Sequence, residues 1–271
     1  MPRRVPVERW TSGGPRAEDD WLAEEAPLEV LIEHSFKERR RTSAWGVTLR
    51  TPGHDAELAL GLLFGEGRIE AAADVEAVEV LDAGRVRVSL AAHVDLDLGR
   101  ARAATAACGF CGSPDMPVTE ALADHGFRIT WERLAGLPEV LEARQGQFQE
   151  TGAVHAAALF DGGGELLAVR EDIGRHNAVD KLIGWALGAG MVPLEQAGLL
   201  LSGRAGFELL HKAARAGIPF VAAIGAPTTL SVDLARHANV TLAGFLRPGK
   251  VNVYSGTWRL VEGAGGVARV T

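Results

Sequence analysis

The first clear pattern along the chain begins at Pro27. Leu28, Val30 and Ile32 alternate with Glu29, Leu31 and Glu33, and a period of two predicts a β-strand. A second β-like run lies around Trp45, Val47 and Leu49, after Lys37-Glu38-Arg39-Arg40-Arg41. The two runs are expected as a hairpin with a charged turn. That basic run either meets an acidic partner or simply solvates the turn. Leu58, Ala59, Leu62 and Leu63 then fall at helical spacing, in a helix expected to be capped by Asp55 and to reach Gly65. Residues 75–80 and 85–90 read as two strands joined at Asp82-Ala83-Gly84.

The second half is more regular. Residues 154–160 and 166–170 flank Asp161-Gly162-Gly163-Gly164, a hairpin signal. A helix is expected from about Asn177, with Val179, Leu182, Ile183, Ala186 and Leu187 as its apolar face. Strands at 198–201, 219–224, 240–246 and 251–254 alternate with helices at 207–216 and 229–238. Such alternation implies an α/β layer with largely parallel strands. The expected organisation is a mobile tail over 1–20, a smaller α+β N-terminal domain over 21–114, and a linker with helical pieces over 115–150. An α/β cofactor-binding domain over 151–260 and a C-terminal tail over 261–271 complete it.

Composition narrows the class. The chain has 271 residues, 47% hydrophobic and 23% charged, ordinary proportions for a folded soluble protein. The net charge of −7 disfavours a nucleic-acid partner. No apolar run approaches the roughly 18 residues of a membrane span. Met1-Pro2-Arg3-Arg4-Val5-Pro6 has no apolar core behind its charges, so no secretory signal is expected and the location expected is the cytoplasm. The only cysteines are Cys108 and Cys111, which excludes a disulfide-stapled scaffold and a four-cysteine zinc site within one chain.

The cysteines sit in Cys108-Gly109-Phe110-Cys111-Gly112-Ser113-Pro114, expected to be a loop. A thioredoxin-like site needs a helix to start at the first cysteine, and the glycines and Pro114 oppose that. Zinc needs four ligands, so it would have to be shared between two protomers. Sulfur handling remains, since glycines give a thiolate loop its reach. A pair of inert thiols is the alternative.

Three strand–helix junctions carry residues suited to an anion. They are Glu171-Asp172-Ile173-Gly174-Arg175-His176-Asn177, then Ser202-Gly203-Arg204, then Gly225-Ala226-Pro227-Thr228-Thr229. Ligands of open α/β sheets bind outside the carboxyl ends of strands, and helix N-termini and arginine attract anions. Arg175, His176 and Arg204 are read as ligand contacts, whereas Asn177 and Thr228 or Thr229 either touch ligand or cap helices. Gly244-Phe245-Leu246-Arg247-Pro248-Gly249-Lys250-Val251 nearly matches a P-loop, but Val251 replaces the hydroxyl residue and a strand follows. The segment still offers Arg247, Gly249 and Lys250 to an anion, or is an ordinary turn. His155, on an apolar run, is read as a hydrogen-bonded core residue.

Together these segments resemble the FdhD family, the formate dehydrogenase accessory sulfurtransferases. The carriers are the Cys108-Gly109-Phe110-Cys111-Gly112 motif, Thr151-Gly152-Ala153-Val154-His155-Ala156-Ala157, and the long run from Glu171 through Asn177 to Leu182. Ser202-Gly203-Arg204, Thr228-Thr229-Leu230 and Phe245-Leu246-Arg247-Pro248-Gly249-Lys250 complete the set. The resemblance runs in order from about Glu24 to Tyr254.

The resemblance implies a sulfur carrier. Sulfur would come from a cysteine desulfurase as a persulfide on Cys108, with Cys111 assisting release or protecting the persulfide. It would pass to the molybdenum bis(molybdopterin guanine dinucleotide) cofactor of formate dehydrogenase. The implied cofactor contacts are Phe245, Leu246, Arg247, Pro248, Gly249 and Lys250, to which the junction reading adds Arg175, His176, Arg204 and Thr228. GDP would mimic one arm of the cofactor. A cytidine-deaminase-like second domain and a homodimer are also implied, with no permanently bound metal. The zinc pattern H-x-E…P-C-x-x-C of deaminases is absent, so deamination is not implied. Two rivals remain: a zinc-stapled cofactor chaperone, marked by bound metal, and a thiol–disulfide oxidoreductase, marked by a cycling Cys108–Cys111 disulfide.

Overall fold

A computed structural model describes residues 2–36, 39–94 and 119–263. The expected mobile tail is instead an antiparallel ribbon of β1 (Arg3–Thr11) and β2 (Gly14–Leu22). Pro6 and the interspersed charges dilute the alternation of Val5 and Val7, which hid the strands from a pattern reading.

β3 (Ala26–Phe36) and β4 (Arg39–Arg50) form the expected hairpin, and Leu28, Val30 and Ile32 are buried on one face. α1 (Asp55–Gly65) follows. Asp55 does not cap it. His54 occupies the cap position with φ 59°, while the Asp55 carboxylate accepts from Arg50 Nε and Nη2 at 2.9 and 2.8 Å. A buried guanidinium needs that carboxylate more than a helix end does. β5 (Val75–Asp82) and β6 (Arg85–Leu90) complete a four-stranded sheet of order β4-β3-β6-β5, parallel at β3/β6.

The expected linker is a packed layer. β7 (Ile129–Thr130) leads into α2 (Trp131–Glu142), whose Leu134, Leu137 and Leu141 are buried at i, i+3 and i+7, and α3 (Gly146–Thr151) follows. Then come β8 (His155–Phe160), β9 (Leu166–Asp172) and α4 (Arg175–Gly188), which starts two residues before Asn177. β10 (Gly198–Leu201), α5 (Phe207–Arg215), β11 (Phe220–Ala223), α6 (Thr229–His237), β12 (Thr241–Arg247) and β13 (Lys250–Ser255) follow the predicted alternation. β14 (Leu260–Val261) pairs with β7, so the chain is still in a strand where the C-terminal tail was expected to begin.

The large sheet has the order β13-β12-β11-β10-β8-β9. It is not largely parallel: only β10/β11 and β11/β12 are parallel. The β8–β9 and β12–β13 connections are tight turns, which can join only antiparallel neighbours.

Alternation along the central strands builds two cores. Ala157, Leu159, Leu199, Leu201, Val221, Ala223 and Leu242 face α4, α5, α6 and, beyond them, α1 and the small sheet. Ala158, Phe160, Leu200, Phe220, Ala222 and Leu246 face α2. The two expected domains therefore share one apolar core, joined where α1 crosses α4. The crossing is close because both helices carry glycine there. A Cβ on Gly61 would lie 1.9 Å from the Asp180 carbonyl oxygen, and one on Gly184 would lie 1.8 Å from that of Glu57. Beside the crossing, Arg170 on β9 grips both oxygens of Glu57 on α1.

Gly184→Ala should destabilise the protein by about 1–3 kcal/mol, since neither backbone can yield without separating the helices. Gly136→Ala in α2, where a Cβ meets nothing within 4 Å, should be neutral or stabilising by about 0.5–1 kcal/mol. Urea unfolding of both variants checks the contrast.

Candidate functional site

One end of the six-stranded sheet collects the expected chemistry, for a topological reason. β8 runs antiparallel to β10, with Leu201 opposite Ala157, so the start of β8 lies beside the end of β10. β9 runs antiparallel to β8, with Asp172 opposite His155, and ends at the same edge. His155, the turn into α4 and the loops after β10, β11 and β12 thus share one end. Their backbones are stitched together: Gly225 N–H donates to the Gly203 carbonyl and Phe245 N–H to the Gly225 carbonyl, both at 3.0 Å.

Beneath this end lies a buried polar hub. The Asp172 carboxylate, fully buried, accepts from Gly174 N–H at 2.8 Å, Asn177 Nδ2 at 3.0 Å and Thr51 N–H at 3.1 Å. Lys181 Nζ lies 2.7 Å from the same group and also donates to the Thr51 carbonyl at 2.9 Å. Asn177 donates to the Leu49 carbonyl at 2.8 Å as well, so it braces the small sheet and does not cap α4. Glu171 accepts from the N–H groups of Gln147 and Phe148 at the start of α3. One turn further, Asp180 pairs with Lys212 of α5. Burial pushes the Asp180 carboxyl up from its ordinary value, against the opposing pull of Lys212. Sequence reasoning missed this hub. Its signal was Asp180-Lys181 inside a helix with apolar residues on nearly every side, which leaves no wet face for a charge.

With those residues committed inward, Arg175 and His176 are the members of the run left toward the open end. α4 starts without a side-chain cap. His176 Nε2 lies 2.8 Å from Glu208 in the first turn of α5. Arg204 is exposed on the loop after β10. His155, expected in the core, is instead half-buried at this end. Burial, then the charges of Arg175, Arg204 and His176, hold its imidazole below the ordinary value of 6.5.

The β12–β13 turn is fixed to the same end, because Arg247 Nη1 donates to the Ile224 carbonyl at 2.7 Å. Arg247 faces Lys250 in register across the turn, with Pro248 and Gly249 exposed between them. Phe245 is exposed and held at φ 53°, a conformation a non-glycine residue seldom adopts. Leu246 turns into the second core. Thr228 caps α6: its hydroxyl accepts from Ser231 N–H and its own N–H donates to Ser231 Oγ. Cys108 and Cys111 lie outside the described residues. Among the described residues no cluster of three or more metal-ligating side chains occurs, and no helix is long and apolar enough to cross a membrane.

Fold and site define a mixed α/β protein whose strand-end loops gather arginine and histidine around one open sheet end, above a buried ionic hub. A model of the FdhD/NarQ family matches residues 23–261, and the chain belongs to that family. The sulfur carrier protein FdhD of Nocardia farcinica is 44% identical over 94% of this chain and 93% of its own. That of Sulfurisphaera tokodaii is 39% identical over 96% and 99%. A crystal structure from Desulfotalea psychrophila, of a protein assigned as a formate dehydrogenase accessory protein, superposes with a TM-score of 0.75. It covers 96% of this chain and all of the other, at 23% identity, so it bears on the fold.

Asp172→Asn should lower stability by on the order of 3–5 kcal/mol, the cost of leaving a buried ammonium without its counter-charge. The loss should appear in the unfolding midpoint at neutral pH.

Proposed function

We propose that this protein is a sulfur carrier for formate dehydrogenase maturation that works through Cys108. In this reading the Cys108 thiolate attacks the terminal sulfur of a desulfurase persulfide. A new S–S bond forms, the donor's S–S bond breaks, and the desulfurase thiolate leaves. The loaded sulfur then passes to the molybdenum bis(molybdopterin guanine dinucleotide) cofactor, which is cargo and not a resident group.

The observation that carries the cofactor half of the reading is the meeting of Arg175, His176, Arg204 and Arg247 at one end of the sheet. In a protein of net charge −7, that local excess of cations is what a phosphate-bearing ligand requires. Arg247 is already oriented by a backbone carbonyl, and Lys250 stands opposite it. The uncapped start of α4 adds backbone N–H groups. Phe245 offers an exposed ring of the kind that stacks on a base. The sulfur half rests on family membership and on the names of the relatives.

Incubation with a cysteine desulfurase and cysteine should add about 32 Da to the protein, the mass of one sulfur in a persulfide. Cys108→Ala should lose the adduct and the ability to activate formate dehydrogenase, while Cys111→Ala should be milder. An adduct retained in Cys108→Ala would refute the assignment. Calorimetry with GDP should show saturable binding without hydrolysis. Arg247→Ala or Lys250→Ala should weaken it by on the order of 1–3 kcal/mol and leave sulfur loading intact.

A further inference from the structure

We propose that His155 completes the cationic sheet end by taking up one proton when a multiply charged anion is seated among Arg175, His176 and Arg204. The inference rests on reading that end as the cofactor site. His155 is the first residue of β8, and its ring lies over the loop after β10: a Cβ on Gly203 would stand 3.3 Å from its Nδ1.

The charged groups around it come from four elements. α4 supplies Arg175 and His176, and the loop after β10 supplies Arg204. β9 supplies Glu171 and Asp172, and α5 supplies Glu208. All three acids are committed elsewhere. Glu171 holds the start of α3, Asp172 holds Lys181 and its backbone partners, and Glu208 is paired with His176. Among the described residues none forms a hydrogen bond with the His155 imidazole.

Burial favours the neutral imidazole, and the flanking guanidinium groups, with no acceptor for it among the described residues, add to this. A polyanion reverses both conditions. It cancels the repulsion from the arginines and supplies oxygens that accept an imidazolium N–H. The proton comes from the solvent, and the ligand's own charge balances it. A neutral or singly charged ligand provides too little negative charge to do the same. His155 therefore makes the site selective for phosphate-rich ligands, and makes binding tighter as pH falls through the histidine range.

The test is an imidazole NMR titration with and without saturating inorganic pyrophosphate, His155→Gln identifying the resonance. The His155 midpoint should lie below 6.5 in the free protein and rise by about one unit or more with pyrophosphate. In parallel, calorimetry compares pyrophosphate affinity at about pH 7.5 and about pH 6. The gain in affinity on acidification should be larger in the wild type than in His155→Gln, by up to about tenfold per pH unit. The ligand's own titration is common to both proteins and cancels. Saturable binding with an unmoved His155 midpoint would overturn the inference and leave the site standing. No saturable binding of pyrophosphate at either pH would overturn the reading of the site itself, and this inference with it.

Discussion

The Asp172 carboxylate is the point on which the rest of the structure depends. It stands at the last residue of β9, under the sheet end, and ties Thr51, 121 residues away just after β4, to the turn into α4 and to Lys181 within that helix. A fully buried carboxylate is tolerated only when its oxygens are filled. Filling them fixes where α4 begins and how the two sheets are spaced. The Gly61–Gly184 crossing allows α1 and α4 to approach closely enough for Thr51 to reach Asp172.

This arrangement divides one sequence run between two tasks. In Glu171-Asp172-Ile173-Gly174-Arg175-His176-Asn177, followed by Asp180 and Lys181, the charges split by direction. Glu171, Asp172, Asn177, Asp180 and Lys181 turn to the protein and find partners there. Arg175 and His176 turn to the sheet end. Buried ion pairs are weak contributors to net stability but costly to break, so they fix geometry more than they add stability. The geometry fixed here is the first turn of α4, from which Arg175 and His176 project.

The antiparallel β8 has the second organising effect. Had β8 run parallel to β10, His155 would lie at the far end of the sheet. Its reversal carries a strand N-terminus to the edge where the parallel strands end. The imidazole thereby joins the loops that carry Arg204 and the Gly225 turn. Phe245 and Arg247 arrive at the same edge because β12 is parallel to β11 and the turn into β13 folds back at once.

Much of this was legible in the sequence, because much of it is local. Period-two and helical spacing located most of the strands and helices of the second half and the β3–β4 hairpin, since side-chain direction follows backbone geometry residue by residue. The motif segments assigned the family. Chain direction within the sheet was less legible, and the glycine turns before β9 and β13 were its only sign. The ribbon of residues 3–22 escaped because Pro6 and the interspersed charges dilute its alternation, and α2 and α3 were foreseen only as helical pieces of a linker because such short helices leave a weak apolar period. What the sequence could not decide was which charges of the Glu171–Lys181 region face inward, whether Asn177 and Thr228 cap or brace, and that His155 leaves the core for the site. Most of these turn on partners elsewhere in the chain, such as Leu49 for Asn177, Thr51 for Asp172 and Lys181, and Lys212 for Asp180, and the packing of α1 on α4 and of β8 against β10 brings the parts together.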